Sequence, residues 1–183
     1  MPMRIMISTS ILALAITLAP ALAQAQTPQT DSAAVGGDVG LFFPKSDALK
    51  SGLALDGFYE YYLSPRTSIR LGVGFMNPKI KRDEDDSMRY IRVGGDLVYN
   101  WEGGGVHPFV GAGVGAYFLQ EKDNGDNFGD QETKIGGNVF GGAEFFTSNT
   151  LSVKAEAKYH LISNLGAFNP DGLSLTVGLK KYF

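Results

Sequence analysis

The chain has 183 residues, 24 of them glycine and none cysteine, with 19 acidic against 16 basic side chains and a net charge of −3. The missing cysteines exclude disulfides, thiolate chemistry and a lipid-modified N-terminal cysteine, and the lack of a basic patch excludes a nucleic-acid surface. Many glycines and only 19% charged residues suit a β-protein of one domain.

Residues 1–25 read as a cleaved signal peptide. Arg4 supplies the positive start, Ile5 to Ala19 the apolar stretch, and Pro20 breaks it. Ala21-Leu22-Ala23 and Ala23-Gln24-Ala25 both offer a small-x-small cleavage site, so cleavage falls after Ala23 or Ala25. The rival reading, an uncleaved anchor, needs an apolar run of about 20 residues, longer than this one. Without Arg4 the chain is one unit more acidic. Residues 26–34 are polar, contain Pro28, lack periodicity and read as a flexible lead-in.

Residues 35–183 form the predicted barrel domain. Eight strand-like segments follow one another, at 35–43, 52–63, 67–76, 88–101, 107–119, 134–146, 151–161 and 172–183. Each approaches the roughly 9–11 residues of a tilted membrane strand. Three connectors are short turns: 64–66, 102–105 and 147–150. Four read as longer loops: 44–51, 77–87, 120–133 and 162–171. Beyond the signal no long apolar run exists, so any membrane crossing must use strands closed into a barrel. The expected fold is an all-β, eight-stranded antiparallel up-and-down transmembrane barrel. An even strand number puts both ends on the short-turn, periplasmic side.

Alternation with period two divides each strand into two faces. One parity is oily, as in Leu53, Leu55, Tyr59 and Tyr61, or Ile69, Leu71, Val73 and Phe75. The last strand repeats it with Leu173, Leu175, Val177 and Leu179. Its only charges are Arg89 and Lys181, near strand ends. The other parity carries Asp38, Asp56, Glu60, Arg70, Arg92, Asp96, Asn138, Glu144, Lys154, Glu156, Lys158 and His160, with many glycines between. Six acids there face four bases before Lys180 is added. An eight-stranded barrel is just wide enough for side chains to fill. Asp56, Glu60, Arg70, Arg92, Asp96, Glu144, Lys154, Glu156 and Lys158 are therefore expected to pair in the lumen, making it more plug than pore.

Aromatic residues gather at predicted strand ends, where amphipathic rings favour a membrane interface. Tyr61-Tyr62, Tyr99, Trp101, Phe145-Phe146 and Tyr182-Phe183 mark the inner border. Phe42-Phe43, Phe75, Tyr117-Phe118 and Tyr159 mark the outer one. Tyr61, Tyr99, Trp101, Phe145 and Phe183 are the candidate girdle residues.

His107-Pro-Phe-Val-Gly-Ala-Gly-Val-Gly-Ala-Tyr-Phe118 resembles a strand of the small outer-membrane β-barrel family related to the OmpA and OmpX barrels. The opening Gly36-Gly-Asp-Val-Gly-Leu-Phe-Phe-Pro44 and closing Leu175-Thr-Val-Gly-Leu-Lys-Lys-Tyr-Phe183 fit the same pattern. One departure stands out: members usually place an aromatic two residues before the final Phe, where this chain has Lys181. The resemblance implies the outer membrane as location. It implies periplasmic chaperones, the barrel-assembly machinery and outer-membrane lipids, lipopolysaccharide among them, as partners. No peptidoglycan-binding domain follows, so the cell-wall role of full-length OmpA does not carry over. Oligomeric state is left open.

The chemistry is sparse. His107 opens a strand beside Pro108 and reads as structural. His160-Leu-Ile-Ser163-Asn164, followed by Asn169-Pro170-Asp171-Gly172, resembles in part the His-x-Ser-Asn region of PagL lipid A deacylases, which use a Ser nucleophile activated by His. Here the two residues are three apart, which points them to opposite faces of a strand. Residues 121–132 are acidic but lack an ordered calcium-loop pattern and read as a solvated mobile loop. Lys79 to Asp86 mixes both signs and suits self-pairing or lipopolysaccharide phosphates. Asp56 and Glu60 share an inward face, beside bases that suit pairing better than acid–base work. No catalytic residue, metal or cofactor is expected. The expected role is a non-enzymatic surface protein with loops outside the cell. The alternatives are a narrow porin-like channel, a PagL-like lipid A-modifying enzyme, or a soluble lipocalin-type barrel with its oily face inward.

Overall fold

The computed structural model describes residues 28–81, 86–101, 104–123, 126–163 and 169–183. They form eight strands: β1 (Ala33–Pro44), β2 (Leu49–Tyr62), β3 (Thr67–Ile80), β4 (Ser87–Asn100), β5 (Val106–Asp123), β6 (Asp126–Ser148), β7 (Leu151–Ile162) and β8 (Gly172–Tyr182). Each pairs antiparallel with its sequence neighbour, and β1 pairs with β8 from Ala34↔Tyr182 to Pro44↔Gly172, closing the barrel. Closure leaves no unpaired edge in the wall. The signal-peptide reading lies outside the described residues.

Period-two alternation decides which side chains go where. On β3, Leu71 is 59% and Val73 54% exposed, whereas Arg70 between Ile69 and Leu71 is 2% exposed. Every strand repeats this arrangement, with Val39 and Leu41, Leu53 and Leu55, Val177 and Leu179 all outside. The core is therefore inverted: charges and aromatic rings are inside, aliphatic side chains outside. The rim that holds Ala33 and Tyr182 is called lower here, the opposite rim upper.

The upper rim departs from the predicted loops. β1 and β2 run on until only residues 45–48 join them, and β3 extends to Ile80. The run 120–133 is mostly strand rather than a mobile loop. β5 continues to Asp123 and β6 begins at Asp126, making a tall hairpin. Its polar residues carry no oily parity, although β4 stays paired with the β5 arm as far as Ser87↔Lys122. β7 meets β6 only from Gly136 downward, with Ser163 N donating to Ile135 O just above (3.3 Å). The register of β5 against β6 shifts between Leu119 and Glu121, and Gly129 adopts φ 68° at that irregularity.

At the lower rim, Asp31 and Ala33 of the stretch read as a flexible lead-in are held in place. Asp31 N donates to Tyr62 O (2.9 Å), and Tyr61 Oη donates to Asp31 Oδ1 (2.7 Å). Ala33 N donates to Phe183 O (3.2 Å) and Phe183 N to Ala33 O (2.9 Å), so the start of β1 and the residue after β8 meet at one seam.

Candidate functional site: the sealed lumen

Lumen-facing side chains from seven strands meet in one ionic belt. Arg70 on β3 donates Nε to Glu60 on β2 (3.0 Å) and Nη1 to Glu156 on β7 (2.7 Å). Glu156 also takes Lys154 (2.8 Å) and Lys158 (3.1 Å), and Lys154 bridges onward to Asp38 on β1 (2.8 Å). Lys180 on β8 lies between Glu60 (3.1 Å) and Glu144 (3.3 Å). Arg92 pairs with Asp96, which also accepts from Asn138 Nδ2 (2.9 Å). Lys158 lies 3.8 Å from Asp56. Ser68 donates to Glu60 (2.6 Å), and Ser152 donates to Glu144. Such a network ties many strands together and fixes one packing, though among the described residues Asp38 Oδ1, Arg92 Nε, Asp96 Oδ2 and Asn138 Oδ1 find no hydrogen-bond partner, and buried ion pairs add little net stability over apolar packing.

Aromatic faces complete the shell around the cations. The Arg70 guanidinium lies 4.5 Å from the Phe58 ring centroid and 5.2 Å from that of Phe140; Lys154 Nζ is also 4.5 Å from Phe58. Cations over ring faces gain electrostatically, more so away from water. These rings need space, which glycines on adjacent strands provide. A Cβ on Gly142 would stand 2.6 Å from Phe109 Cζ, and one on Gly136 2.8 Å from Tyr117 Cε2.

Apolar plugs close the belt at both ends. Phe42, Ala54, Met76, Tyr90, Tyr117, Leu119 and Ile162 pack together above it, with Met88 against them. Ala34, Tyr62, Phe146 and Tyr182 pack below it. The lower tyrosines turn their hydroxyls upward into the belt: Tyr62 Oη accepts from Lys180 (2.6 Å), and Tyr182 Oη donates to Glu144. His107 leans on Phe146 with ring centroids 4.8 Å apart, and one ring nitrogen lies 3.1 Å from Gly104 O.

All nine sequence-derived ion-pair residues face this lumen and join the belt. Two of its members, Lys180 and Asp38, were not among those nine. So were none of the lumen rings of Phe58, Phe109, Phe140, Tyr62 and Tyr182, although their parity was available in the sequence. Tyr61, Tyr99, Trp101, Phe145 and Phe183 are exposed on the outer wall near the lower rim, with Tyr99 and Trp101 edge to face at 4.9 Å. The aromatic doublets divide, however. Tyr62, Phe146 and Tyr182 turn inward rather than joining the lower border, and Phe42 and Tyr117 turn inward at the upper one. Neighbours on a strand must point to opposite faces.

The structure also separates His160 from Ser163. His160 is 1% exposed in the lumen, with Nε2 3.0 Å from Ser174 Oγ and Nδ1 3.1 Å from Tyr117 Oη. Ser163 is exposed and donates to Ile135 O (2.8 Å). Ser174 itself is 1% exposed and lies level with the upper plug, across from Phe42 and with its Oγ 3.8 Å from Met76 Sδ. Among the described residues no group of acids and histidines is arranged to hold a metal.

An inverted core in a closed eight-stranded wall is the physics of a barrel in hydrocarbon. The sequence profile of the outer membrane protein beta-barrel domain matches residues 11–180. The chain belongs to that family. No curated protein matches it. Among solved structures, Neisserial surface protein A (NspA) is similar in fold at 18% identity, covering 82% of this chain and 97% of its own, with a TM-score of 0.68. Ail, the attachment invasion locus protein of Yersinia pestis, is similar at 14% identity over 85% of this chain and all of its own, TM-score 0.60. The outer membrane enzyme PagL is similar at 16% identity over 81% and 98%, TM-score 0.50. The oily parity thus touches lipid and the ionic parity does not. A lipocalin-type barrel, which needs the reverse, is ruled out by the outward-facing aliphatic wall.

Proposed function

We propose that this protein is a non-enzymatic surface barrel of the outer membrane, closed to solutes at rest. Residues 1–25 export it and are removed, the lower rim faces the periplasm, and the upper rim with its β5–β6 hairpin faces outside. Periplasmic chaperones and the barrel-assembly machinery deliver it, and outer-membrane lipids, lipopolysaccharide among them, surround it. Tyr61, Tyr99, Trp101, Phe145 and Phe183 form its inner aromatic girdle. The observation that carries this reading is the ionic belt held between two apolar plugs. A continuous wet path would have to break both plugs and several pairs together. The similarity to a Neisserial surface protein supports the surface role. The separation of His160 from Ser163 speaks against PagL-like chemistry.

The test is conductance of the purified protein in planar lipid bilayers, combined with fractionation of the cells that make it. Recovery in outer membranes and electrical silence are expected. Stable unitary currents overturn the closed reading in favour of a channel, and recovery in a soluble fraction overturns the location.

A further inference from the structure

The oily parity of the predicted strands carries two charges, Arg89 and Lys181. Lys181 donates to Thr150 Oγ1 at the lower rim (2.7 Å). Arg89 stands at the upper end of β4, where its neighbours Met88 and Tyr90 pack with the upper plug, so its own side chain points outward to lipid. β3 adds Lys79, exposed and on the parity of Val73 and Phe75. The register from Met76↔Tyr90 to Lys79↔Ser87 sets Lys79 and Arg89 on a diagonal, about 7–8 Å apart and within reach of long side chains. Among the described residues neither side chain has an acid or a hydrogen bond. Like charges so placed repel, and a cation on the lipid face is tolerated only near an interface. A phosphate at headgroup level removes the repulsion, because Arg offers its oxygens a planar fork and Lys a point charge.

Lower on the same wall, β2, β3 and β4 carry an outer groove of about 490 Å³, lined by Gly57, Tyr59, Leu71, Val73 and Val93. Gly57 lies opposite Val73, and Val73 opposite Val93. A Cβ at Gly57 would meet nothing within 4 Å. Lys79 stands six residues above Val73 and Arg89 four above Val93, roughly 13–20 Å along tilted strands at the usual rise. Half the hydrocarbon core is about 15 Å thick. With the two cations at headgroup level, the groove therefore lies along the path of an acyl chain hanging from that headgroup. A larger outer groove on β1 and β6–β8, about 640 Å³, lacks such a pair above it: Lys45, which follows β1, is held by Asp171 (3.6 Å).

We propose that the outer face of β2–β4 is a binding site for one phosphate-bearing lipid of the outward leaflet, with its phosphate between Arg89 and Lys79 and one acyl chain in the groove over Gly57. The site rests on the orientation proposed above, with the upper rim outside, and gives one lipid a fixed place on a wall that lipids otherwise only surround. The rival counter-charge is the acidic run Asp83-Glu84-Asp85 between β3 and β4, which calls for no lipid.

Native mass spectrometry of the protein folded in maltoside micelles and titrated with lipid A tests this. The parent protein is expected to retain one lipid A. The double variant Lys79→Gln, Arg89→Gln, checked for folding by heat-modifiable migration, should bind it about tenfold more weakly for the loss of two charge-assisted contacts. Lipid A stripped of its phosphates should bind the parent protein equally weakly, a comparison that needs no variant to fold. Gly57→Leu fills the groove and should weaken binding several-fold, and millimolar inorganic phosphate should not compete. Equal retention by parent and double variant, equal retention of lipid A with and without phosphates, displacement by inorganic phosphate, or indifference to Gly57→Leu each overturns the proposal. Binding in micelles does not depend on which rim faces outside, and fractionation and conductance do not depend on Arg89 or Lys79, so either reading can fail alone.

Discussion

Arg70 reaches across the lumen to Glu156, Nη1 to Oε2 at 2.7 Å, while its Nε holds Glu60 beside it. One side chain thereby ties β2, β3 and β7 together through the middle of the barrel. Arg70→Met leaves two buried carboxylates short of a partner and is expected to destabilise by about 3–5 kcal/mol, the usual cost of breaking a buried pair from one side. Arg70→Met combined with Glu156→Leu should cost less than the sum of the single changes, because the groups share one network. Urea unfolding in lipid vesicles, followed by Trp101 fluorescence, measures both. Additive losses contradict the strut.

Gly142 allows the Phe109 ring to lie where a side chain would stand. Gly142→Ala places a Cβ 2.6 Å from Phe109 Cζ and closer still to the Ala155 carbonyl oxygen. Overpacking of this kind costs about 1–3 kcal/mol. Gly57→Ala is the control, since nothing lies within 4 Å of a Cβ there. It should be neutral or stabilising by a few tenths of a kcal/mol, through the unfolded chain. Equal midpoints for the two variants would show that the close approach is unimportant.

Depth governs the lipid face. Leu71 lies mid-strand on the outer wall and Phe43 close to the upper rim. Leu71→Lys is expected to cost about 2–4 kcal/mol and Phe43→Lys about 0–1 kcal/mol. The same unfolding assay separates them. A reversed order would mean that the bilayer is not where the exposed aliphatic band lies.

Neither His160→Ala nor Ser163→Ala should change lipid A. His160 is buried against Phe42 and Tyr117 of the upper plug, and Ser163 is bonded to the Ile135 carbonyl on the rim. Mass spectrometry of lipid A from cells making each variant or the parent protein reads this. Loss of an acyl chain that depends on either residue would establish the deacylase reading.

The wall was readable from the sequence because hydrocarbon imposes a two-residue rhythm on everything it touches. Leu71 and Val73 outside with Arg70 inside needed no more than alternation. The hairpin above the wall was not readable, since Gln120 to Thr133 has no oily face to mark its period. Residues 45–48 were read as part of a longer loop for a related reason: Lys50 and Ser51 are polar at the mouth of the barrel. The doublets Tyr61-Tyr62 and Phe145-Phe146 misled because an aromatic at a strand end satisfies either an interface or a plug. Strict alternation decides between the two, and the structure sets Tyr62 and Phe146 beside Tyr182 inside. For Lys180 and Lys181 alternation alone sufficed: the first is central to the belt and the second bonds Thr150 Oγ1 outside (2.7 Å).

The seam between Ala33 and Phe183 sets the order in which this molecule can be made. Its two closing strands are the farthest apart in the chain, so the loop they enclose is nearly everything described, and its entropy must be spent before those bonds form. Local hairpins such as β5–β6 can zip early, whereas the ring stays open until the final strand arrives. Until β8 is in place the wall is therefore an open sheet, with two bare margins that only a partner or the completed circle can hide.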